Sequence, residues 1–227
     1  MSQDHPPEVL LIRGGAGYWP GVSRLANELS DHGFAPKIVM GAFSTVQAPR
    51  IAADYYSGGR CTPVTIVGYS SGADYACKLC QGLEARGVPV ATLVLIESTL
   101  GTEVPGNVEL CINMYESRPA TDWIPAFRGI AVRAASPQTS LVNLDANKTP
   151  DLQWLKEYNH FTVASNSESR VMIRNLLLLR QNQFTEQQAR STGLPVPLSS
   201  TRNTSSLPPL EPVPVRKPLT SQVSLHR

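Results

Sequence analysis

The stretch Val64-Thr65-Ile66-Val67-Gly68-Tyr69-Ser70-Ser71-Gly72 decides the fold. Its first four residues form a short apolar run, which predicts a strand buried on both faces of a parallel sheet. Helical spacing follows from Ser71 to about Arg86, and Gly87 ends the helix. The G-x-S-x-G pattern therefore lies between a strand and a helix, where a sharp turn exposes a serine hydroxyl at the edge of the sheet. The stretch predicts Ser70 as a nucleophile; the alternative is a glycine-rich turn of purely structural role.

Strand-like and helix-like segments alternate on both sides of this stretch. This alternation predicts a mostly parallel sheet flanked by helices. Further strands are predicted at residues 9–12, 37–40, 93–96, 113–115, 129–133 and 140–144. Helices are predicted to begin after residues 21, 50 and 165. A capping box formed by Ser165 and Glu168 is predicted at the start of the last helix.

Composition predicts one domain. With 227 residues, 41% of them hydrophobic and 17% charged, the chain fits a single globular core at residues 8–190, preceded by an arm at residues 1–7. Residues 191–227 are rich in proline, serine and threonine, which predicts a disordered tail. Its P-x-x-P motif, Pro209 to Pro212, is a candidate site for a weakly bound partner.

Charge and hydropathy exclude several function classes. A formal net charge of +2 does not favour nucleic acid as a partner. The polar start of the chain does not match a secretory signal, and no apolar run reaches the length of a membrane span, so a cytoplasmic location is expected. Cys77 and Cys80 form a C-x-x-C pair, but no second pair completes a zinc site. We therefore expect no metal and no organic cofactor.

A catalytic serine needs a base, and the chain has four histidines. His5 lies in the polar arm, His226 in the tail and His32 at the end of a helix. His160 remains, in a loop before the last helix, and it follows the nucleophile and the acid in chain order. The sequence therefore predicts His160 as the general base.

Two carboxylates are candidates for the third member of the triad. Glu97 ends the fourth predicted strand, and Asp145 ends a later one. Carboxylates at the C-terminal ends of parallel strands face the crevice in which α/β proteins bind ligands. The sequence favours Glu97 and keeps Asp145 as the alternative.

The glycines after the first strand are candidate oxyanion donors. Gly14 and Gly15 can present backbone N–H groups, together with the N–H of Ser71. Gly15, Gly17 and Gly21 also form a loose dinucleotide-binding pattern. That pattern requires an acidic residue at the end of the second strand, and Met40-Gly41 stands there instead.

Three segments together resemble the α/β-hydrolase superfamily, and within it small thioesterase-like and lipase-like bacterial serine hydrolases. They are Leu11-Ile12-Arg13-Gly14-Gly15, the serine turn with Ala73 and Asp74 after it, and Asn159-His160-Phe161-Thr162. In the thioesterase domains of polyketide and peptide synthases, the acid follows the strand after the nucleophile. The resemblance therefore implies Glu97 as the acid and His160 as the base. This chain departs from many hydrolases in having Arg13 before Gly14 and glutamate as the acid.

The expected activity is cleavage of a carboxylic ester or thioester through an acyl-enzyme on Ser70. Tyr69 and Tyr115 are candidate substrate contacts, as is Trp123 in a short lid-like stretch at residues 102–127 that also contains Ile124 and Phe127. Two alternatives stay open. One is transfer of the acyl group to an alcohol or amine, and the other is a binding protein that kept the fold without turnover.

Overall fold

A computed structural model describes residues 6–57, 64–124 and 128–192, apart from the side chains of residues 188, 191 and 192. Its centre is a six-stranded sheet with the order β2-β1-β3-β4-β5-β6, in which every neighbouring pair is parallel. The strands are β1 (Glu8–Arg13), β2 (Ala35–Met40), β3 (Val64–Tyr69), β4 (Val90–Ile96), β5 (Val108–Tyr115) and β6 (Ser140–Asp145).

Helices cover both faces of the sheet. The described α-helices are α1 (Val22–Asp31), α2 (Gly41–Ser44), α3 (Ala48–Ser57), α4 (Ser71–Glu84) and α5 (Ser167–Thr192). Single 3₁₀ segments lie at Gly15–Gly17, Thr45–Gln47, Pro150–Glu157 and Val163–Ser165. Among the described helices, none is both long enough and apolar enough to cross a membrane.

The alternation of side chains along each strand divides the core into two layers. In β1, Val9 and Leu11 pack with α1 and α5 on one face, while Leu10 and Ile12 pack with α3 and α4 on the other. All four side chains are essentially inaccessible to solvent. Burial on both faces explains why consecutive residues of this strand are apolar. The predicted α/β architecture, a parallel sheet flanked by helices, is confirmed.

One predicted strand is wrong. Residues 129–133 form no strand, and an isolated bridge between Val104 and Ala134 is the nearest regular pairing. The side chain of Asn143 accepts a hydrogen bond from the Val132 N–H and donates one to the Val132 carbonyl, each at 3.0 Å. A side chain thus satisfies the backbone groups that a neighbouring strand would otherwise bond.

The start of α5 also differs from the prediction. Ser165 lies in a 3₁₀ turn, where its hydroxyl donates to the carbonyl of Thr162 at 2.6 Å. Asn166 accepts the Ser169 N–H at 2.6 Å and caps the helix instead. The predicted capping box is therefore wrong by one position.

Several predictions fall outside the described residues. These are the arm at residues 1–5, Phe127 of the lid-like stretch, and the tail from residue 193, including its P-x-x-P motif. Helix α5 itself extends to Thr192, two residues beyond the predicted end of the domain.

Candidate active site

Ser70 stands at the turn between β3 and α4 in a strained backbone conformation, with φ 58° and ψ −132°. Two glycines make this turn possible. A Cβ on Gly68 would lie 2.6 Å from the Gly72 carbonyl oxygen, and a Cβ on Gly72 would lie 2.4 Å from the Ile12 carbonyl oxygen. The Ser70 N–H donates to the Ile96 carbonyl at 2.8 Å, which ties the turn to the end of β4. The turn has the geometry of a nucleophile elbow.

The structure brings Ser70, His160 and Glu97 into one hydrogen-bond chain. The Ser70 Oγ lies 2.8 Å from His160 Nε2, and His160 Nδ1 lies 3.1 Å from Glu97 Oε2. Ser70 is half-buried, whereas the other two side chains are buried. With the ring proton on Nδ1, Nε2 is free to accept the serine proton, which is the arrangement that general-base catalysis needs.

His160 is held from its backbone as well as its ring. The Tyr69 hydroxyl donates to the His160 carbonyl, and the two rings stack with centroids 5.9 Å apart. On the preceding residue, the Asn159 side chain accepts the N–H groups of Phe161 and Thr162 at 2.9 and 3.2 Å. These contacts fix a loop that has little regular structure of its own.

Glu97 follows β4 with a positive φ of 54° and is fully buried. Its Oε1 accepts the Glu116 N–H at 2.8 Å, and its Oε2 accepts Arg118 Nη1 at 2.6 Å in addition to the histidine. Gly129 packs against this carboxylate so closely that a Cβ there would lie 2.5 Å from Oε1. The buried charge is therefore both paired and sterically confined.

The alternative acid, Asp145, has different partners. Its carboxylate accepts the Ser117 hydroxyl at 2.8 Å and the Asn147 N–H at 3.0 Å. Burial alone would raise the pKa of Asp145, but these hydrogen bonds outweigh it and hold the pKa below its ordinary value. Of the two sequence candidates, Glu97 is the one that contacts His160.

Two of the three candidate oxyanion donors are available. Gly15 and Ser71 each begin a helical segment, where the N–H has no acceptor within the helix, and no described group accepts either of them. A Cβ on Gly15 would lie 3.8 Å from Ser71 Oγ, so the two turns are neighbours. The Gly14 N–H instead donates to the Tyr18 carbonyl at 3.1 Å, so Gly14 is engaged in its own turn and is not free to bind an oxyanion.

The three candidate substrate contacts lie in different surroundings. Tyr69 is fully buried, and its bond to the histidine loop leaves none of its side chain exposed to a substrate. Burial is also the cause of a raised pKa at Tyr69. Tyr115 is nearly buried at the end of β5. Trp123 is 75% exposed, with its indole N–H donating to the Ala120 carbonyl at 3.0 Å.

Sequence reasoning missed three residues that support the site. Arg118 and Gly129 both contact Glu97, and Asp74 is buried in the first turn of α4. The Asp74 carboxylate accepts hydrogen bonds from the loop after Glu97, including the hydroxyls of Ser98 at 3.0 Å and Thr99 at 2.7 Å. Asp74 stands in one of the segments that carry the family resemblance, and as an acidic residue on an otherwise apolar face of α4 it could have been assigned a supporting role.

The cysteines do not form a metal site in the described part of the chain. Cys77, Cys80 and Cys111 are buried as free thiols, and burial raises the pKa of Cys77 to about 12. No group of three histidine, cysteine or acidic side chains among the described residues could hold a metal ion.

Comparison with known proteins gives structural resemblances alone. No protein-family model and no curated protein matches the chain. A protein from Xanthomonas campestris pv. campestris, described as a hydrolase of the α/β superfamily, is 15% identical and covers 73% of this chain and 98% of its own, with a TM-score of 0.36. Human thioesterase 2 is 10% identical over 76% of this chain and 94% of its own, with a TM-score of 0.42.

A third solved structure is YbtT, a type II thioesterase from the yersiniabactin biosynthetic pathway. It is 12% identical over 72% of this chain and 96% of its own, with a TM-score of 0.37. The solved structures that this chain resembles thus include one described as a hydrolase of the α/β superfamily and two described as thioesterases.

Proposed function

We propose that this protein is a serine hydrolase that cleaves a carboxylic ester or thioester. The observation that carries the proposal is the unbroken hydrogen-bond chain from Ser70 Oγ through the His160 ring to Glu97 Oε2. A buried carboxylate, a histidine and a serine at a strained turn form the combination that activates a hydroxyl for attack on a carbonyl.

In the first half of the reaction, His160 Nε2 takes the Ser70 proton as Oγ attacks the carbonyl carbon. The N–H groups of Gly15 and Ser71 are the proposed donors to the resulting oxyanion, because each begins a helical segment and has no acceptor within it. Glu97 keeps the ring proton on Nδ1 and stabilises the imidazolium. His160 then returns the proton to the alcohol or thiol as the bond to the acyl carbon breaks.

In the second half, water replaces the leaving group. His160 takes a proton from the water as the water oxygen attacks the acyl-enzyme. The second tetrahedral intermediate then collapses, which releases the carboxylic acid and restores the Ser70 hydroxyl as His160 returns the proton. The same acyl-enzyme would give a transferred acyl product if an alcohol or amine entered instead.

Apolar side chains around the serine support a substrate with an apolar acyl group. Tyr18 is 44% exposed and Phe161 is 40% exposed, and their rings meet edge to face at 6.1 Å. Phe161 follows the catalytic histidine directly, and Tyr18 follows the turn that carries Gly15. Met40, at the end of the neighbouring strand β2, is 45% exposed and approaches this turn at Gly17. A hydrocarbon chain laid across these side chains would be removed from water next to Ser70.

A fluorophosphonate probe tests the proposal, because it reacts with an activated serine whatever the natural substrate is. We expect labelling of the wild type, no labelling of Ser70→Ala, and retained labelling of Ser71→Ala, which keeps the backbone N–H. Absence of labelling in folded wild-type protein would contradict the proposal and favour a binding role. Product analysis of ester and thioester panels, with and without an added alcohol, separates hydrolysis from acyl transfer.

A further inference from the structure

Arg118 binds the same carboxylate oxygen as the catalytic histidine. Its Nη1 lies 2.6 Å from Glu97 Oε2, and His160 Nδ1 lies 3.1 Å from that oxygen. The Arg118 side chain is 18% exposed, and the Glu97 side chain is not exposed at all. A partly buried guanidinium so close to a fully buried carboxylate interacts more strongly than a pair at the surface.

The remaining contacts of Arg118 join three parts of the site. Its Nη2 forms an ion pair with Glu116 Oε2 at 2.6 Å and also lies 3.5 Å from the carbonyl oxygen of Tyr158, two residues before the catalytic histidine. Its backbone N–H donates to Asp122 at 2.8 Å. The side chain therefore connects the end of β4, the segment after β5 and the histidine loop.

We propose that Arg118 is a positioning residue of the triad. Arg118 fixes the Glu97 carboxylate and reduces the electrostatic stabilisation that this carboxylate gives to the protonated form of His160. The inference rests on the function proposed above. Two donors share Oε2, so Glu97 is anchored even when the ring moves. The guanidinium charge also opposes formation of an imidazolium nearby, because two positive charges at this distance repel each other.

Other charged and titratable groups surround the pair. Glu97 faces the histidine directly, and Glu116 adds a second negative charge through its ion pair with Arg118. The others on neighbouring elements are Tyr69 at the end of β3, Asp122 and Asp145 on either side of the arginine segment, and Lys156, whose charge acts on Glu116. Arg118 differs from these groups because it is a cation bonded directly to Glu97. Its removal is therefore expected to change the net charge beside the His160 ring more than removal of any of the others.

The size of the effect follows from distance. Because Arg118 Nη1 and His160 Nδ1 both bond Oε2, they lie at most about 6 Å apart. At an effective dielectric constant of about 20, a unit charge at that distance shifts a titration by about two pH units. Replacement of the arginine by a neutral residue is expected to move the titration of the ring upward by that amount.

The experiment follows the His160 ring proton by NMR during a pH titration, with the signal assigned from the His160→Asn variant. This readout does not require turnover. We expect a higher midpoint in both Arg118→Met and Arg118→Gln, a midpoint close to that of the wild type in the charge-retaining Arg118→Lys, and a lower midpoint in Glu116→Gln. The glutamine variant keeps a hydrogen-bond donor without the charge, so it carries the test if the methionine variant does not fold.

The outcomes separate this inference from the proposed function. An unchanged or lower midpoint in folded Arg118→Gln overturns the inference, as does an equal rise in Arg118→Lys, which would point to lost packing instead of lost charge. Fluorophosphonate labelling is measured on the same samples. Absence of labelling in the wild type would overturn the proposed function, whereas the titration midpoints of the variants could still be measured and compared. In an active enzyme, the acid limb of the kcat/KM profile is expected to move with the midpoint.

Discussion

Glu97→Gln tests the charge of the proposed acid with almost no change of shape. A carboxylate 3.1 Å from the histidine ring, at an effective dielectric constant of about 20, favours the imidazolium by about 5 kcal/mol. With about 1.4 kcal/mol for each tenfold change in rate, kcat is expected to fall by about three to four orders of magnitude.

The surroundings of the amide make this variant costly in either orientation. An amide nitrogen at the Oε2 position would face Arg118 Nη1, and one at the Oε1 position would face the Glu116 N–H. One donor is therefore always left against another donor, which is expected to reduce the free energy of unfolding by about 1–3 kcal/mol. The assay is kcat on an activated aryl ester, together with chemical denaturation to show that the variant is folded under assay conditions.

Asp145→Asn is the matched control. Its carboxylate bonds Ser117 and Asn147, so the variant is expected to keep kcat near the wild-type value and to lose some stability. Because the pKa of Asp145 is lowered in the folded protein, its stabilising effect is present above the ordinary pKa of an aspartate and disappears as the pH falls. The stability difference between wild type and control should therefore shrink in acid. A larger loss of kcat in Asp145→Asn than in Glu97→Gln would refute the assignment of the acid.

Three further substitutions probe the supports of the site. In Gly129→Ala, the new methyl group would lie 2.5 Å from Glu97 Oε1, so the carboxylate must move, and we expect a fall in kcat with a loss of about 1–3 kcal/mol in stability by denaturation. Tyr69→Phe removes the hydroxyl that binds the His160 carbonyl, so we expect the free energy of unfolding to fall by about 1–3 kcal/mol and kcat to decrease. An unchanged rate of fluorophosphonate labelling would contradict this expectation. Asn166→Ala removes the cap of α5 and is expected to cost about 0.5–2 kcal/mol in chemical denaturation while kcat is kept.

The sequence predicted the elements whose signal is local. The run before Ser70 is apolar because β3 is buried on both faces, and the glycines around the serine are required by contacts shorter than any side chain permits. Elimination among four histidines led to His160, which the structure places against the serine. The strand and the turn could be predicted because their signals lie within a few consecutive residues, whereas His160, 90 positions from Ser70, could be predicted because the chain has few histidines to choose from.

The segment between β5 and β6 could not be predicted in the same way. Residues 129–133 have the β-branched and apolar character of a strand, but the side chain of Asn143 takes the hydrogen bonds that a strand would make. No local sequence pattern identifies Arg118 either, because its proposed role depends on a carboxylate oxygen of Glu97, which lies 21 positions earlier in the sequence. Contacts of this kind arise from the packing of loops, which periodicity and propensity do not report.

Backbone strain in the site falls at two members of the proposed triad. Ser70 and Glu97 are two of the three non-glycine residues with positive φ in the described chain, and each follows directly on one of the paired strands β3 and β4. Such conformations cost about 1–3 kcal/mol each, so surrounding contacts must hold them in place. The glycines at positions 68 and 72 do so for the serine, while the carboxylate of Asp74 binds the loop immediately after the glutamate. Asp74 therefore joins the helix that begins after Ser70 to the loop that follows Glu97, so that one buried side chain links the surroundings of the two strained residues.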